Sequence, residues 1–300
     1  KGPNVTGTAY FPGSYETVFL RGGCVFLQES LGQGDYGSNF CQTLIHELGH
    51  SLGLSHPHNK SSKTNESSTL MPGITTDEFS IGTYKSNQIL YSVMSYAWDE
   101  FHPQSNDYGY PFTFMALDIA ALQFLYGANV NSNSGNNTYY LTSTHTVNEG
   151  GLKTNEGVNS MCIYDTGGND TISAVNNQQP VVINLNPADL GNVEDNLKNI
   201  LGVEVNTSGG YLSTIPSLTG SGFTISGNLT QIENAVGGSN NDFIFENDTS
   251  NDIDGGFGTE DVVIFLGDHS NYRIKLESNN ATLSVNHKTT GETDTLTNVE

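Results

Sequence analysis

Three imidazoles and a carboxylate stand close together in this chain: His46, Glu47, His50 and His56. On a helix, residues four apart lie nearly above one another, so His46 and His50 project from one face toward a common point. Gly53 suits the end of that helix, because glycine takes the left-handed conformation without a steric penalty, and the turn there returns His56 as a third ligand. Three neutral imidazoles hold a zinc ion and leave a fourth position open for water. Glu47 points to the adjacent side of the helix, near the metal but not on it, where a carboxylate can take a proton from a water that the metal activates. The spacing predicts zinc-dependent hydrolysis of peptide bonds. The short H-E-x-x-H pattern alone also fits a buried amphipathic helix whose histidines are merely hydrogen-bonded; the longer pattern through His56 favours the metal.

Downstream, Ser92-Val93-Met94-Ser95-Tyr96 places a methionine in a tight turn, with Met94 as an apolar floor beneath the three imidazoles. Together with Pro57 directly after the third histidine, this run resembles the serralysin branch of the metzincin zinc endopeptidases. The resemblance implies that Tyr96, two residues after the methionine, is an additional, displaceable zinc ligand that can hydrogen-bond the oxyanion. It also implies that Glu47 passes its proton on to the leaving amine, and that the substrates are proteins or peptides. The likeness continues through Asp118-Ile119-Ala120-Ala121-Leu122-Gln123 and Leu125-Tyr126-Gly127-Ala128-Asn129, which match the helix closing a serralysin catalytic domain. By its own pattern this segment is a helix: Pro111 stands near its start, Met115, Ile119 and Leu122 recur at helical spacing, and Gly127 caps it. Packing is its expected role, with no chemistry assigned.

After Asn129 the composition shifts to Gly, Asn, Asp, Thr and short β-branched runs, with 129–137 reading as a linker. Asp165-Thr166-Gly167-Gly168-Asn169-Asp170 alternates carboxylates and glycines so that oxygens can converge on a hard cation. It resembles the turn at which serralysins bind calcium, with Glu233 as a further donor. The serralysin calcium-loop arginine is missing near Gly135, and Asn133 stands in its approximate place. Gly237-Gly238-Ser239-Asn240-Asn241-Asp242 is close to the nonapeptide of calcium-binding parallel β-rolls, with Asn240 in a position where a left-handed backbone is expected. Gly255-Gly256-Phe257-Gly258-Thr259-Glu260-Asp261 reads as another copy with one residue inserted. The calcium candidates are therefore Asp165, Gly167, Gly168, Asp170, Glu233, Gly237, Asn240, Asp242, Gly256, Gly258 and Asp261. Strands are expected at 262–266, 272–276 and 281–285, the last two with period-two alternation.

The expected fold class is α+β: a partial metzincin-type zincin catalytic domain over residues 1–130, then an all-β calcium-binding parallel β-roll or β-sandwich over 131–300. Thr8-Ala9-Tyr10-Phe11 resembles the edge strand that pairs with extended substrate in metzincins. The sheet and helix that should precede the zinc helix do not fit in the residues before His46, and Thr293 to Glu300 runs to the end as an unfinished strand, so a fragment is expected.

Ten Lys plus Arg against 32 Asp plus Glu give a formal charge of −22, which disfavours nucleic acid and anionic membrane as partners. No apolar run is long enough for a membrane span. A secreted, extracellular, monomeric enzyme using Zn2+ and Ca2+ is the expectation; the alternative is a calcium-binding adhesion or export module whose zinc site is non-catalytic. Cys24 and Cys41 could pair, leaving Cys162 as a small buried residue, and His58, His102, His145, His269 and His287 read as surface residues.

Overall fold

The structure, a computed structural model, describes residues 7–9, 25–27, 38–58, 71–74, 78–82, 87–89, 91–97, 110–140, 161–177, 180–185, 212–214, 231–265, 267–279 and 281–300. The amino-terminal part holds a short antiparallel pair, β1 (Gly7–Ala9) with β2 (Val25–Leu27), and two helices, α1 (Asn39–Ser51) and α2 (Ala116–Tyr126). Of the strand expected over 8–11, Thr8 and Ala9 lie in β1, while Tyr10 and Phe11 lie outside the described residues, as do Cys24, His102 and His145.

Helix α1 starts where Ser38, in extended conformation, accepts the Cys41 N–H through its hydroxyl at 3.1 Å. That cap satisfies one of the amides the first turn leaves open. The helix ends as its sequence demands: Gly53 has φ +101°, its N–H reaches His50 O at 3.0 Å, and Leu54 N–H reaches Gly49 O at 2.9 Å. This double closure is the Schellman motif, and the buried Leu54 supplies its apolar contact. Helix α2 is tied at both ends to the same region. Its first turn donates from Leu117 N–H to Tyr91 O at 2.9 Å, and Tyr126 Oη donates to Leu52 O at 2.7 Å at the other end. Met115 serves as the helix N-cap, outside the helix proper.

Between the helices lies an apolar cluster of Leu54, Val93, Met94, Met115, Ala116 and Cys162, with Ile45, Phe114 and Leu122 against it. Met94 is 1% exposed, and a β-carbon on Gly49 would stand 2.5 Å from its sulfur. Helix and thioether therefore touch only because residue 49 has no side chain. Gly49→Ala gains helix propensity of about 1 kcal/mol, but Met94 has no solvent side to retreat to. We expect a net loss of about 1–2 kcal/mol in urea unfolding from overpacking.

The second half is built of short strands that wind between two sheets. β3 (Thr138–Tyr140), β5 (Thr171–Ser173), β8 (Asn234–Val236) and β10 (Asp252–Asp254) pair in parallel. Facing them, β6 (Val182–Asn184), β9 (Phe243–Phe245) and β11 (Val262–Ile264) form a three-stranded parallel sheet. From Asn234 to Ile264 the chain alternates sheets with each strand. The middle residue of each strand points inward, so Ile172, Ala235 and Ile253 stack in one row and Ile183 and Ile244 in the other. A further parallel pair, β4 (Met161–Ile163) with β7 (Leu212–Thr214), forms its own ladder and adds Ile163 to the same core.

The first sheet continues outward through β14 (Thr293–Thr297), which is parallel to β10, then antiparallel β13 (Thr282–His287) and β12 (Tyr272–Leu276). Two expectations change here. β12 shows no burial alternation, because it is the outer strand and exposes both Ile274 and Leu276. The last strand closes at Thr297 and is not left unfinished: Asn298 turns with φ +50° and the chain folds onto the neighbouring loop. Among the described residues no helix is long and apolar enough to cross a membrane.

Candidate metal centre

Helix α1 and its cap bring His46, His50 and His56 together, and their ligating atoms lie within 4.8 Å of one another. The Nε2 atom of His56 stands 3.0 Å from Nε2 of His46 and 3.0 Å from Nε2 of His50. The opposite nitrogens decide what these contacts are. His46 Nδ1 lies 2.7 Å from Val93 O and His50 Nδ1 lies 2.8 Å from Leu54 O. A carbonyl only accepts, so both Nδ1 atoms carry the proton and both Nε2 atoms present lone pairs.

Burial, chiefly, lowers all three imidazoles, His46 to about 4 and His56 to about 2, with the neighbouring histidines adding to the fall for those two. At neutral pH the rings are therefore uncharged, and at most one proton is available among three converging nitrogens. A divalent cation at their centre removes that conflict. The 3.0 Å separations are near the roughly 3.3 Å edge of a tetrahedron with Zn–N bonds of about 2.0–2.1 Å. The donor set fits zinc.

Tyr96 Oη lies 2.9 Å from His56 Nε2, and its ring stacks on His46 at 5.6 Å and 26°. The side chain is 37% exposed. Burial, with Glu47 and Glu78 nearby, raises its pKa, so the phenol keeps its proton as a donor. Glu47 is buried beside this group and is outside the histidine cluster, as its position one residue along the helix dictates. Met94 is buried against Gly49 of the same helix.

His58 departs from its sequence reading as a surface residue. Its ring lies parallel to His56, 9° off at 5.0 Å, and 4.8 Å from the Tyr96 ring. The turn after Pro57 folds it back over the site, a result of chain direction that ligand spacing does not encode. His269 and His287 do lie in the outer strands' region, away from the metal centre. The sequence also gave Asp118 no role beyond packing; it is buried against the Met94 turn, where Ser92 Oγ donates to Oδ1 at 2.6 Å and Val93 N–H to Oδ2 at 2.8 Å. An acidic residue in the first turn of an otherwise apolar helix was the signal available.

The acidic turns form two clusters with one pattern. In the first, Gly167 N–H donates to Asp165 Oδ1 at 3.0 Å, Asp170 N–H to Glu233 Oε2 at 2.8 Å, and Asn137 N–H to Asp170 Oδ1 at 2.7 Å. In the second, Gly256 N–H donates to Asp254 Oδ1 at 3.0 Å, Asp261 N–H to Glu300 Oε2 at 3.1 Å, and Asp242 N–H to Asp261 Oδ1 at 2.7 Å. In each, the remaining oxygen of the second aspartate, Oδ2 of Asp170 or Asp261, is buried without a hydrogen-bond partner. Burial raises the pKa of both, with other carboxylates adding to it: Asp170 rises to about 6 beside Asp165 and Glu233, and Asp261 rises beside Glu300 and Asp254.

Asp242, whose N–H ties it to the second cluster, accepts from Val181 N–H at 2.8 Å and from Gly238 N–H through its carboxylate. The glycines are spacers: a β-carbon on Gly168 would stand 2.4 Å from Gly135 O, on Gly237 2.0 Å from Gly255 O, and on Gly258 2.4 Å from Asp261 Oδ1. Asn240 does not adopt the left-handed backbone expected of it; among described non-glycine residues only Asn133 and Asn298 have positive φ. Its backbone oxygen instead lies beside Gly258 and the Asp261 carboxylate. Asp254, which the sequence offered only within a weaker turn over 251–254, and Glu300 were not among the calcium candidates. Their signal is repetition, since Val299-Glu300 echoes Ile232-Glu233 in the sequence.

No protein-family model matches the chain. Among curated proteins, it is 30% identical over 221 residues to a serralysin of Proteus mirabilis, covering 73% of this chain and 37% of that protein. It is 32% identical over 217 residues to the metallopeptidase AprA of Pseudomonas marginalis, with 71% and 38% covered. With the metalloprotease AprA of Pseudomonas entomophila the identity is 30% over 247 residues, with 80% and 43% covered. The aligned part of the chain thus spans about two fifths of these relatives' length. Over that part, the motifs and the alignments together make this chain similar in sequence to the serralysin metalloproteases.

Proposed function

We propose that the protein is a secreted zinc endopeptidase, and the observation that carries this reading is the convergence of three Nε2 lone pairs whose Nδ1 partners are fixed by backbone carbonyls. His46, His50 and His56 would hold the metal. When bound, zinc supplies Lewis-acid activation of a water and of the scissile carbonyl. Glu47 takes the proton from the attacking water and delivers it to the leaving amine. Tyr96 donates its phenolic proton in a hydrogen bond to the developing oxyanion, where a donor already in place needs no reorganisation. Met94 and Gly53 shape the site without touching substrate.

The acidic turns are read as structural calcium sites of a parallel β-roll, residues 131–300 forming that domain and 1–130 the catalytic one. Asp165, Asp170 and Glu233 would hold one ion, and Asp254, Asp261 and Glu300 another. Asp242 and the backbone at Gly167, Gly168, Gly237, Asn240, Gly256 and Gly258 complete their surroundings. Buried carboxylate oxygens without partners support that assignment. Calcium sites of this kind fill at extracellular calcium levels, which agrees with a secreted monomer acting on unfolded or matrix proteins.

The test is metal-dependent proteolysis. The protein should bind one zinc per chain, hydrolyse an unfolded protein, lose that activity to a zinc chelator and regain it on adding zinc. His46→Ala should bind no zinc at the same concentrations. A wild-type protein that holds zinc without cleaving any of a panel of unfolded proteins would overturn the reading.

A further inference from the structure

We propose that Asp118 and Ser92, acting through the Val93–Met94 peptide, form a hydrogen-bonded relay that orients His46 and strengthens it as a metal ligand. The inference rests on the zinc reading above. His46 Nδ1–H donates to Val93 O at 2.7 Å. The amide that owns this carbonyl also owns the Met94 N–H, which donates to Ser92 Oγ at 3.2 Å. Ser92 Oγ in turn donates to Asp118 Oδ1 at 2.6 Å.

Every donor in this series points toward the carboxylate, the arrangement in which successive hydrogen bonds polarise one another. A metal-bound histidine commonly donates its second N–H to a carboxylate or carbonyl, which fixes the tautomer and raises ligand basicity. Here a carboxylate reaches the imidazole indirectly, through a hydroxyl and a peptide. Asp118 is only 2% exposed, so its charge is weakly screened.

The two oxygens of Asp118 do different things. Oδ2 accepts from Val93 N–H at 2.8 Å and from Met115 N–H at 3.0 Å, which pins the methionine turn to the start of helix α2. Among the described residues Oδ1 accepts from Ser92 alone, and it carries the relay. Asp118 and Ser92 are thus positioning residues, and the two legs can be cut separately. Ser92→Ala removes the relay and leaves the Oδ2 anchor. Ser92→Thr keeps a hydroxyl at the same place. Asp118→Asn must turn an amide N–H2 toward Ser92, which reverses the last bond of the series, or toward the backbone donors, which breaks the anchor, and in either case it removes the charge at the end of the relay.

The measurement is the zinc dissociation constant by chelator competition, with thermal unfolding of the metal-free protein alongside. Asp118→Asn should weaken zinc 10- to 100-fold, the range found for second-layer partners of metal ligands. Ser92→Ala should weaken it about tenfold with little change in metal-free stability, and Ser92→Thr should stay within about twofold of wild type. Ser92→Ala with unchanged zinc affinity overturns the relay, whether or not Asp118→Asn folds. So does a loss of metal-free stability in the variants with no loss of affinity, since that is the signature of a purely structural anchor. Wild-type protein that binds no zinc at all overturns the zinc reading itself, and the relay with it.

Discussion

Glu47→Gln should cost on the order of 10²–10⁴-fold in kcat/KM for an unfolded protein substrate while leaving one zinc per chain. The physical reason is a division of labour within two adjacent residues. His46 faces the other imidazoles, whereas Glu47 is turned about 100° around the helix and is not part of the histidine cluster. The amide of glutamine keeps the size and can still hydrogen-bond a water, but it cannot accept and return a proton. Metal content should therefore survive while turnover does not. Tyr96→Phe is the companion experiment. It removes a donor 2.9 Å from the metal-facing nitrogen of His56 and should lower kcat more than it raises KM, because the bond is made mainly to the oxyanion. Zinc analysis and steady-state kinetics on the same preparations separate the outcomes. Full activity in Glu47→Gln would sink the general-base assignment, and lost zinc in that variant would make Glu47 a ligand.

The histidine triad was legible in the sequence because its three imidazoles sit on one helix and the turn after it, where local geometry alone sets the spacing. The Schellman closure at Gly53 is the same kind of local event, and it also positions Leu54 O to fix His50. What could not be read came from chain segments meeting across long separations. Asp118 lies 25 residues from Val93 and finds it only once helix α2 docks. His58 is two residues beyond His56, yet whether it points to water or over Tyr96 depends on how the chain turns at Pro57 and His58. In the second half, the repeat pattern announced short strands with inward-facing apolar centres, and the parallel register follows from it. Glu300 closing onto Asp261 N–H escaped notice because the repeat there is separated from its partner by the three strands of the outer sheet. The left-handed turn at Asn240 was inferred from a consensus glycine, whereas the close approach of backbone oxygens to Gly237 and Gly258 is what forbids a side chain in that region.

Calcium should raise the melting temperature by on the order of 10 °C per filled site at a thousandfold excess over its dissociation constant, and the gain should depend on pH. Asp170 is raised to about 6, and Asp242 and Asp261 are also raised, in each case first by burial. For such groups the folded chain holds the proton more tightly than the unfolded one. Without calcium they contribute stability that is fully present below the ordinary carboxylate value near 3.8 and is lost as pH rises to about 6. Above that range the carboxylates are ionised, close together and in want of a cation.

Calcium reverses the slope, since the ion replaces the proton and binds more tightly as the proton leaves. The shift on adding calcium should therefore be small at pH 5 and large at pH 7.5, while the metal-free protein melts higher at pH 5 than the turns' charges allow at pH 7.5. Asp170→Asn and Asp261→Asn should each stabilise the metal-free protein at pH 7.5, because each removes a buried negative charge, and each should shrink the calcium gain. Glu300→Gln should shrink it as well if the second cluster is a site equivalent to the first. Thermal unfolding with calcium or a calcium chelator at the two pH values reads all of these. A calcium gain of equal size at both pH values, or one untouched by the two aspartate variants, would show that the ion binds elsewhere.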